Sequence, residues 1–450
     1  MYATAFTPLR KRFRRGALLG ACMLAGMSGA LQAAEPPVTR TLQAIVSALD
    51  TPLASLSAVV IRGGQVVYEG QFGMRQMPQA EGAPGLPADH QTLYRVASVS
   101  KLVTTIGLMR LVEAGQLDLD ADLSQYLGYA LRNPHFAQTP ITARMLLTHT
   151  SSLRDGGGYF MPLGTSLQTA LQGGNPAAWA SPKADADRAP GRYFAYCNLN
   201  FVVLGTLIER ITAKRFDVYM QEAVLRPLGI AGGFTPETLS QADISHLAVL
   251  YRKGQDGKFQ PKGPWVAQTD NFQGQMPAPR AGLQDYVPGT NASGFGPQGG
   301  LRISVAGLGR IMQLLMNQGS LDGVRLLRPA SVAAMLRPQW RAQSDPAQGD
   351  TLGGLFQSWA LGAQVFVDAS GPSSGDRLAA RGGIAAVGHL GFAYGLHAGF
   401  IFDPVKRNGV VYALGGDGDD PALHRGRYSS FPLWEERVLD ALWSVADPAP

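Results

Sequence analysis

A serine and a lysine three residues apart, Ser98 and Lys101, form the pattern in this sequence with the clearest chemical use. A serine hydroxyl attacks a carbonyl only when a neighbouring group accepts its proton. A lysine amine accepts that proton when burial or nearby positive charge lowers its pKa from about 10.4 towards neutrality. The pair therefore predicts nucleophilic catalysis on Ser98. Because so short a pattern also arises as a helix-capping serine with a solvated lysine, its context must decide.

The residues after the pair predict the helix that would hold it. Apolar side chains recur from Leu102 to Ala114 with helical spacing and form one buried stripe. Ser98 would then lie at the helix start, with Lys101 on the same face. Free backbone N–H groups at a helix start favour the anionic oxygen of an acylation transition state.

A second candidate group is Tyr196-Cys197-Asn198, in a loop just before another predicted helix. A tyrosine shuttles a proton if a nearby lysine stabilises its phenolate. An asparagine orients a lysine and a substrate carbonyl through its amide. A turn followed by a helix cap is the plain structural alternative. Cys197 has no histidine near it in sequence, so we interpret it as a packed thiol.

The third candidate group is Gly388-His389-Leu390-Gly391 on a predicted strand. Gly391 would let substrate approach the backbone, and the N–H of Phe392 would complete an oxyanion hole with that of Ser98. A lone strand histidine is more often structural. We also predict that the segment 146–153, which contains His149, is a helix end held by hydrogen bonds from histidine and threonine.

Periodicity places these groups on a mixed fold. Apolar spacing predicts eight helices: Thr41–Asp50, Leu102–Ala114, Ile141–Leu147, Leu199–Ile211, Phe216–Leu225, Val305–Gln318, Pro329–Met335 and Pro432–Val445. Short apolar runs predict six strands: Leu56–Arg62, Gln65–Gly70, Leu361–Val367, Ala385–Leu390, Leu396–Phe402 and Val410–Leu414. Long loops are expected at Met77–Gln91, Asp155–Gly191 and Lys253–Gln298. Strands at both ends predict an α+β fold, with one antiparallel sheet built from the two chain ends and an all-helical insertion between them.

The N-terminal residues predict export. Five basic residues precede an apolar run from Gly16 to Leu31, with a cleavage site before Ala34, so residues 1–33 are interpreted as a secretory signal peptide and the chain is expected in the periplasm or outside the cell. A lipoprotein signal at Cys22 and a twin-arginine signal are the weaker alternatives. Residues 36–450 then form a single catalytic domain, with its sheet part at about 41–95 and 350–450 and its helical part at about 98–345.

Composition excludes several functions. Removal of the five basic residues reduces the net charge from +6 to about +1, so the basic pI gives no reason to expect nucleic acid as a partner. No other segment is apolar enough for a membrane span. Of two cysteines only Cys197 remains after cleavage, which excludes an internal disulfide. The spacing of the histidines predicts no metal site, and we expect no cofactor.

These motifs together resemble the serine β-lactamase and penicillin-binding-protein superfamily, in particular its class C-like esterases and D-peptidases. The similarity covers about Ser57 to Leu414 and rests on these pieces: Ser98-Val99-Ser100-Lys101, Leu147-Thr148-His149-Thr150-Ser151, Pro190-Gly191, Tyr196-Cys197-Asn198, Pro227-Leu228-Gly229, Gly299-Gly300-Leu301 and Gly388-His389-Leu390-Gly391. The resemblance implies an active site between the sheet and the helical part.

The resemblance also implies residue roles. Ser98 would be the acylated nucleophile, and Lys101 and Tyr196 would share proton transfer as a pair. Asn198, Gly391 and Phe392 would contact substrate. His389 would stand at the first position of the strand motif Lys-Thr-Gly, where relatives have a cation for a substrate carboxylate.

That departure shapes the substrate hypothesis. Near its ordinary pKa of about 6.5, His389 would be mostly neutral at pH 7, so carboxylate recognition would be weak unless Arg302 or Arg381 reaches the site. We therefore favour a serine hydrolase of esters, small amides or peptides. A class C-like β-lactamase or D-Ala-releasing peptidase is the alternative. A silent sensor with a cell-wall peptide as its ligand is the third reading.

Overall fold

The computed structural model describes residues 35–78, 83–172, 175–183, 187–255, 258–343, 348–420 and 422–448. The predicted signal peptide and Cys22 lie outside them. Pro37–Pro450 form one compact unit. Among the described residues, no helix has both the length and the apolar character that a membrane span requires.

Eleven α-helices occur in the described residues. They are α1 (Pro37–Val46), α2 (Ser100–Glu113), α3 (Ser124–Leu127), α4 (Ala143–Leu147), α5 (Leu167–Gln172), α6 (Leu199–Thr212), α7 (Phe216–Met220), α8 (Gln241–Ser245), α9 (Val305–Met316), α10 (Pro329–Leu336) and α11 (Leu433–Ala446). A π-helical turn, Gln221–Leu225, directly follows α7. All eight predicted helices are therefore present, although α1 starts and ends four residues early because Pro37 is preorganised for a first helical turn.

Strands come from all parts of the described chain. They are β1 (Ser55–Arg62), β2 (Gln65–Gln76), β3 (Leu86–Pro87), β4 (Tyr94–Arg95), β5 (Gly232–Gly233), β6 (Leu250–Gln255), β7 (Lys258–Phe259), β8 (Trp265–Thr269), β9 (Arg302–Ile303), β10 (Ser320–Leu321), β11 (Val324–Arg325), β12 (Trp340–Arg341), β13 (Ser358–Trp359), β14 (Gln364–Phe366), β15 (Ala386–Ala393), β16 (Leu396–Asp403), β17 (Asn408–Leu414) and β18 (Gly416–Asp417).

The main sheet confirms the predicted architecture. Its nine strands are ordered β12-β13-β14-β15-β16-β17-β1-β2-β3, and the chain ends meet where β1 pairs antiparallel with β17. β1 and β2 are joined by Gly63 and Gly64 at φ 58° and 84°, the positive values that a tight hairpin turn requires. Helices α1 and α11 cover one face of the sheet, and α9 packs against the other.

The middle of the chain is not all-helical, contrary to the sequence prediction. The segment Lys253–Gln298, expected to be a loop, contains most of a small sheet in which β6 pairs with β7, β8 and β18. Similarly, α5 lies in the expected loop Asp155–Gly191. These short elements have little periodicity of their own and depend on pairing with distant segments, so local pattern could not identify them.

Candidate active site

The nucleophile candidate lies in a tight turn before α2 rather than in the helix itself. Ser98 is the centre of a 3-10 turn, Ala97–Val99, and α2 starts two residues later, at Ser100. Ala97 has φ 44°, a conformation uncommon for a residue with a side chain. This turn leaves Ser98 partly accessible at the edge of the buried α2, as a nucleophile requires.

Lys101 is fully buried and its amine contacts the serine. Nζ donates to Ser98 Oγ at 3.0 Å, to Asn198 Oδ1 at 2.8 Å and to the backbone oxygen of Gln298 at 2.8 Å. Burial lowers the pKa of Lys101 to about 7. A large fraction of the amine is therefore neutral near pH 7, and its lone pair lies within hydrogen-bond reach of the serine proton.

Tyr196 lies over the same amine. Lys101 Nζ is 4.9 Å from the centre of the Tyr196 ring, which stacks on Phe356 and packs beside His149. Burial raises the pKa of Tyr196 above its ordinary value, although a hydrogen bond with Ser98 opposes this shift. Tyr196 is therefore a neutral phenol beside the nucleophile, and Lys101 is the better proton acceptor.

Asp155, which the sequence analysis missed, fixes the orientation of Asn198. Its carboxylate accepts from the Asn198 Nδ2 at 2.8 Å and from the backbone N–H groups of Asn198 and Leu199, both at 2.9 Å. With Nδ2 held there, Asn198 Oδ1 must face Lys101. The same carboxylate lies at the start of α6, where the helix dipole favours negative charge. No local pattern distinguishes Asp155 from any other acid at the start of a loop.

His149 supports the Tyr196 segment instead of ending its own helix. Its Nδ1 accepts from the Cys197 backbone N–H and the Asn200 amide, both at 3.1 Å, so Nε2 carries the proton. Burial and Lys101 lower its pKa well below the ordinary value. The end of α4 is held by Thr148, which donates to the Arg144 carbonyl at 2.8 Å. The prediction for this motif was thus correct for threonine and wrong for histidine.

His389 lines the site as a neutral ring. Burial and Lys101 lower its pKa to about 3, so it is not the titratable group near 6.5 that the sequence suggested. Its Nδ1 lies 2.6 Å from the Leu390 carbonyl, which only accepts, so Nδ1 must carry the proton. His389 therefore presents an acceptor nitrogen, and not a cation, at this strand position.

Gly391 brings β15 against the nucleophile turn. A Cβ at this position would lie 2.4 Å from the Val96 carbonyl, so only glycine permits this approach. The expected reason for the glycine was access for substrate, whereas the structure shows contact between two backbone segments. Phe392 follows it, and its ring is 63% exposed. The role of its N–H in an oxyanion hole stays a prediction.

These side chains surround a cavity of about 720 Å³. Its lining includes the predicted residues Ser98, Tyr196, Asn198, His389, Gly391 and Phe392. Neither arginine suggested by the sequence reaches it. Arg302 is buried in an ion pair with Asp270 at 2.7 Å, and Arg381 pairs with Asp447 at 2.9 Å.

Cys197 is a packed thiol beside these residues. The Cys197 thiol is fully buried, donates to Asp155 at 3.3 Å and has a pKa raised well above its ordinary value by burial, so it is a poor nucleophile. In the part of the chain that the structure describes, no three potential metal-ligating side chains come together.

We expect Asp155→Asn to reduce kcat/KM by about 10- to 100-fold, because Asn198 and with it Lys101 lose their fixed orientation. Asp155 also raises the pKa of Lys101, so its loss should move the rising limb of the pH–rate profile to lower pH. A purely structural role would not move that limb. The matched control is Asp187→Asn in an exposed, weak ion pair, and an unshifted limb in Asp155→Asn would contradict the assignment.

Comparison with known proteins agrees with this geometry. The family model Beta-lactamase matches residues 42–429. Penicillin-binding protein 4 of Amycolatopsis lactamdurans is 27% identical over 73% of both chains, and esterase EstB of Burkholderia gladioli is 31% identical over 45% of this chain and 51% of its own. The D-amino acid amidase from Ochrobactrum anthropi has the same fold, with a TM-score of 0.60 at 18% identity over 91% of this chain and all of its own. The chain therefore belongs to the β-lactamase family of serine hydrolases.

Proposed function

We propose that this chain is a secreted serine hydrolase that cleaves esters or small amides through an acyl-enzyme on Ser98. The observation that carries the proposal is the 3.0 Å contact between Ser98 Oγ and the Lys101 amine, whose pKa burial lowers to about 7. Attack of the hydroxyl on the carbonyl releases a proton, which this amine accepts and returns to the leaving alcohol or amine. Later attack of water on the acyl-enzyme again needs a proton acceptor at this place.

His389 supports the choice of esters and amides over β-lactams. It is neutral and presents only an acceptor nitrogen, so the strand cannot bind a carboxylate as a lysine would. One relative, EstB, is an esterase by name, and another is a penicillin-binding protein. A cephalosporin must therefore be included in the test.

The test measures the intact mass of the protein after separate incubation with a fluorophosphonate, a 4-nitrophenyl ester and a cephalosporin. We expect one fluorophosphonate adduct, mapped to Ser98, with fast ester turnover and slow cephalosporin turnover. Efficient cephalosporin hydrolysis would contradict the proposal and show that the protein is a β-lactamase. Absence of any adduct on Ser98 would favour the silent sensor.

Export is also part of the proposal. It rests on residues 1–33 alone, which lie outside the described structure. The mass of the protein recovered from the periplasm or medium should correspond to a chain that begins near Ala34. A mature chain that begins at a lipid-modified Cys22 would support the lipoprotein alternative instead, and an uncleaved chain would contradict export.

A further inference from the structure

Among the described residues that line the cavity, three are charged at neutral pH: Arg95, His397 and Glu435. His397 Nδ1 lies 3.0 Å from a Glu435 oxygen, and this contact helps to raise the pKa of His397 to about 9. Its Nε2 lies 3.3 Å from Asp417, so the charge of His397 is already satisfied by two carboxylates. Arg95 has no carboxylate within ion-pair distance in the described part of the chain.

The surroundings of Arg95 leave part of its guanidinium free. Nε donates to the Gly299 carbonyl at 3.3 Å and Nη1 to the Thr269 hydroxyl at 3.4 Å, which are long bonds to neutral acceptors. Asp270, the carboxylate that acts electrostatically on Arg95, is already occupied by Arg302. An arginine has five donor hydrogens in a fork that matches the two oxygens of a carboxylate, and these two bonds use only two of them.

Arg95 is also held in place beside the nucleophile. It belongs to β4, three residues before Ser98, and β4 pairs with β9. Its guanidinium carbon lies 5.0 Å from the centre of the Tyr394 ring, in a stacked contact that restricts its motion. A half-buried cation that is positioned but not neutralised is unfavourable unless an anion joins it.

We propose that Arg95 binds a carboxylate of the substrate and that this hydrolase prefers esters or amides carrying one. The inference rests on the proposed function. It moves carboxylate recognition from the strand position, where His389 is neutral, to the segment just before the nucleophile. The sequence predicted weak recognition of a carboxylate, because the only candidates were the strand motif and two arginines, Arg302 and Arg381, that pair elsewhere.

The experiment uses matched pairs of esters with the wild-type protein. One pair differs on the acyl side: mono-4-nitrophenyl glutarate and its neutral primary amide. The other differs on the alcohol side: 3-acetoxybenzoate and 3-acetoxybenzamide. After subtraction of uncatalysed hydrolysis, we expect at least one carboxylate to be preferred in kcat/KM by about 10- to 100-fold, the range of a charge-assisted hydrogen bond.

The variants then assign the preference to one residue. Arg95→Gln should remove most of the preference, and Arg95→Lys should retain part of it because the charge remains without the fork. Arg62→Gln, at an exposed arginine outside the cavity lining, is the matched control and should keep the wild-type ratio. Thermal unfolding checks that each variant is folded.

Two results would overturn the inference: a wild-type protein that prefers neither carboxylate, or a preference that persists in Arg95→Gln. The first needs no variant, so the inference remains testable even if substitution at Arg95 prevents folding. Failure of the proposed function is distinguishable, because then the neutral esters are not turned over and Ser98 is not acylated. Normal turnover of the neutral esters without a carboxylate preference overturns only the role of Arg95.

Discussion

Ser98→Ala is expected to reduce turnover of every substrate by at least about 10³-fold while leaving the protein folded. The substitution removes the only atom that forms the acyl bond. The fold should tolerate it because Lys101 keeps its bonds to Asn198 and Gln298, so the free energy of unfolding should fall by only about 1 kcal/mol. Steady-state kinetics, adduct mass and thermal unfolding measure the three effects.

Ser100 is the matched control, two residues further along the same segment. Its hydroxyl accepts from the Leu301 backbone N–H at 3.0 Å and is fully buried, so its role is structural. Ser100→Ala should lower the melting temperature and still form the adduct on Ser98, the opposite pattern. Near-normal turnover in Ser98→Ala would contradict the role of Ser98 as nucleophile. Loss of cooperative unfolding in the same variant would show that Ser98 is a structural residue.

The second large effect concerns Lys101 as the proton acceptor. Only the neutral amine accepts a proton, and burial lowers the pKa of Lys101 to about 7. In the wild-type protein kcat/KM should therefore rise about tenfold per pH unit below pH 7 and become constant above it. Lys101→Met should remove this limb and reduce kcat/KM by at least about 10³-fold.

Tyr196→Phe separates the two members of the proton-transfer pair. Burial raises the pKa of Tyr196, so it stays protonated across the same pH range and is not the source of a limb near pH 7. The variant should be slower but keep the limb. A profile that loses the limb in Tyr196→Phe and keeps it in Lys101→Met would reverse the two roles.

The charges around the nucleophile explain why its neighbours are neutral. Burial, and after it the charge of Lys101, lowers the pKa of both His149 and His389, since a second cation beside a buried amine is unfavourable. Burial in turn lowers the pKa of Lys101 to about 7, although Asp155 acts in the opposite direction. Asp155 is the carboxylate that acts on the Lys101 amine, and its oxygens are occupied by Asn198 and two backbone N–H groups.

Local sequence patterns predicted the architecture and six of the residues that line the cavity. Apolar runs at both chain ends predicted the antiparallel sheet, because short runs of buried residues between turn residues are a local property of the sequence. The Ser98 to Lys101 spacing placed the hydroxyl and the amine within 3.0 Å through three residues of local backbone. The left-handed turn at Ala97 and the short strands between 250 and 269 were not visible, because both depend on distant segments.

Long-range contacts set the charges of the site residues and the hydrogen bonds that hold them. The pKa values of Lys101 and His389 depend on burial by residues from distant parts of the chain, which no local pattern records. The same holds for Asp155, which contacts Asn198 across a loop of more than 40 residues. It also holds for Arg95, which lacks a carboxylate partner among the described residues because Arg302 occupies Asp270. Reactive side chains at close spacing can be identified from the sequence. Their pKa values cannot, because these depend on which distant groups exclude water or supply a counter-charge.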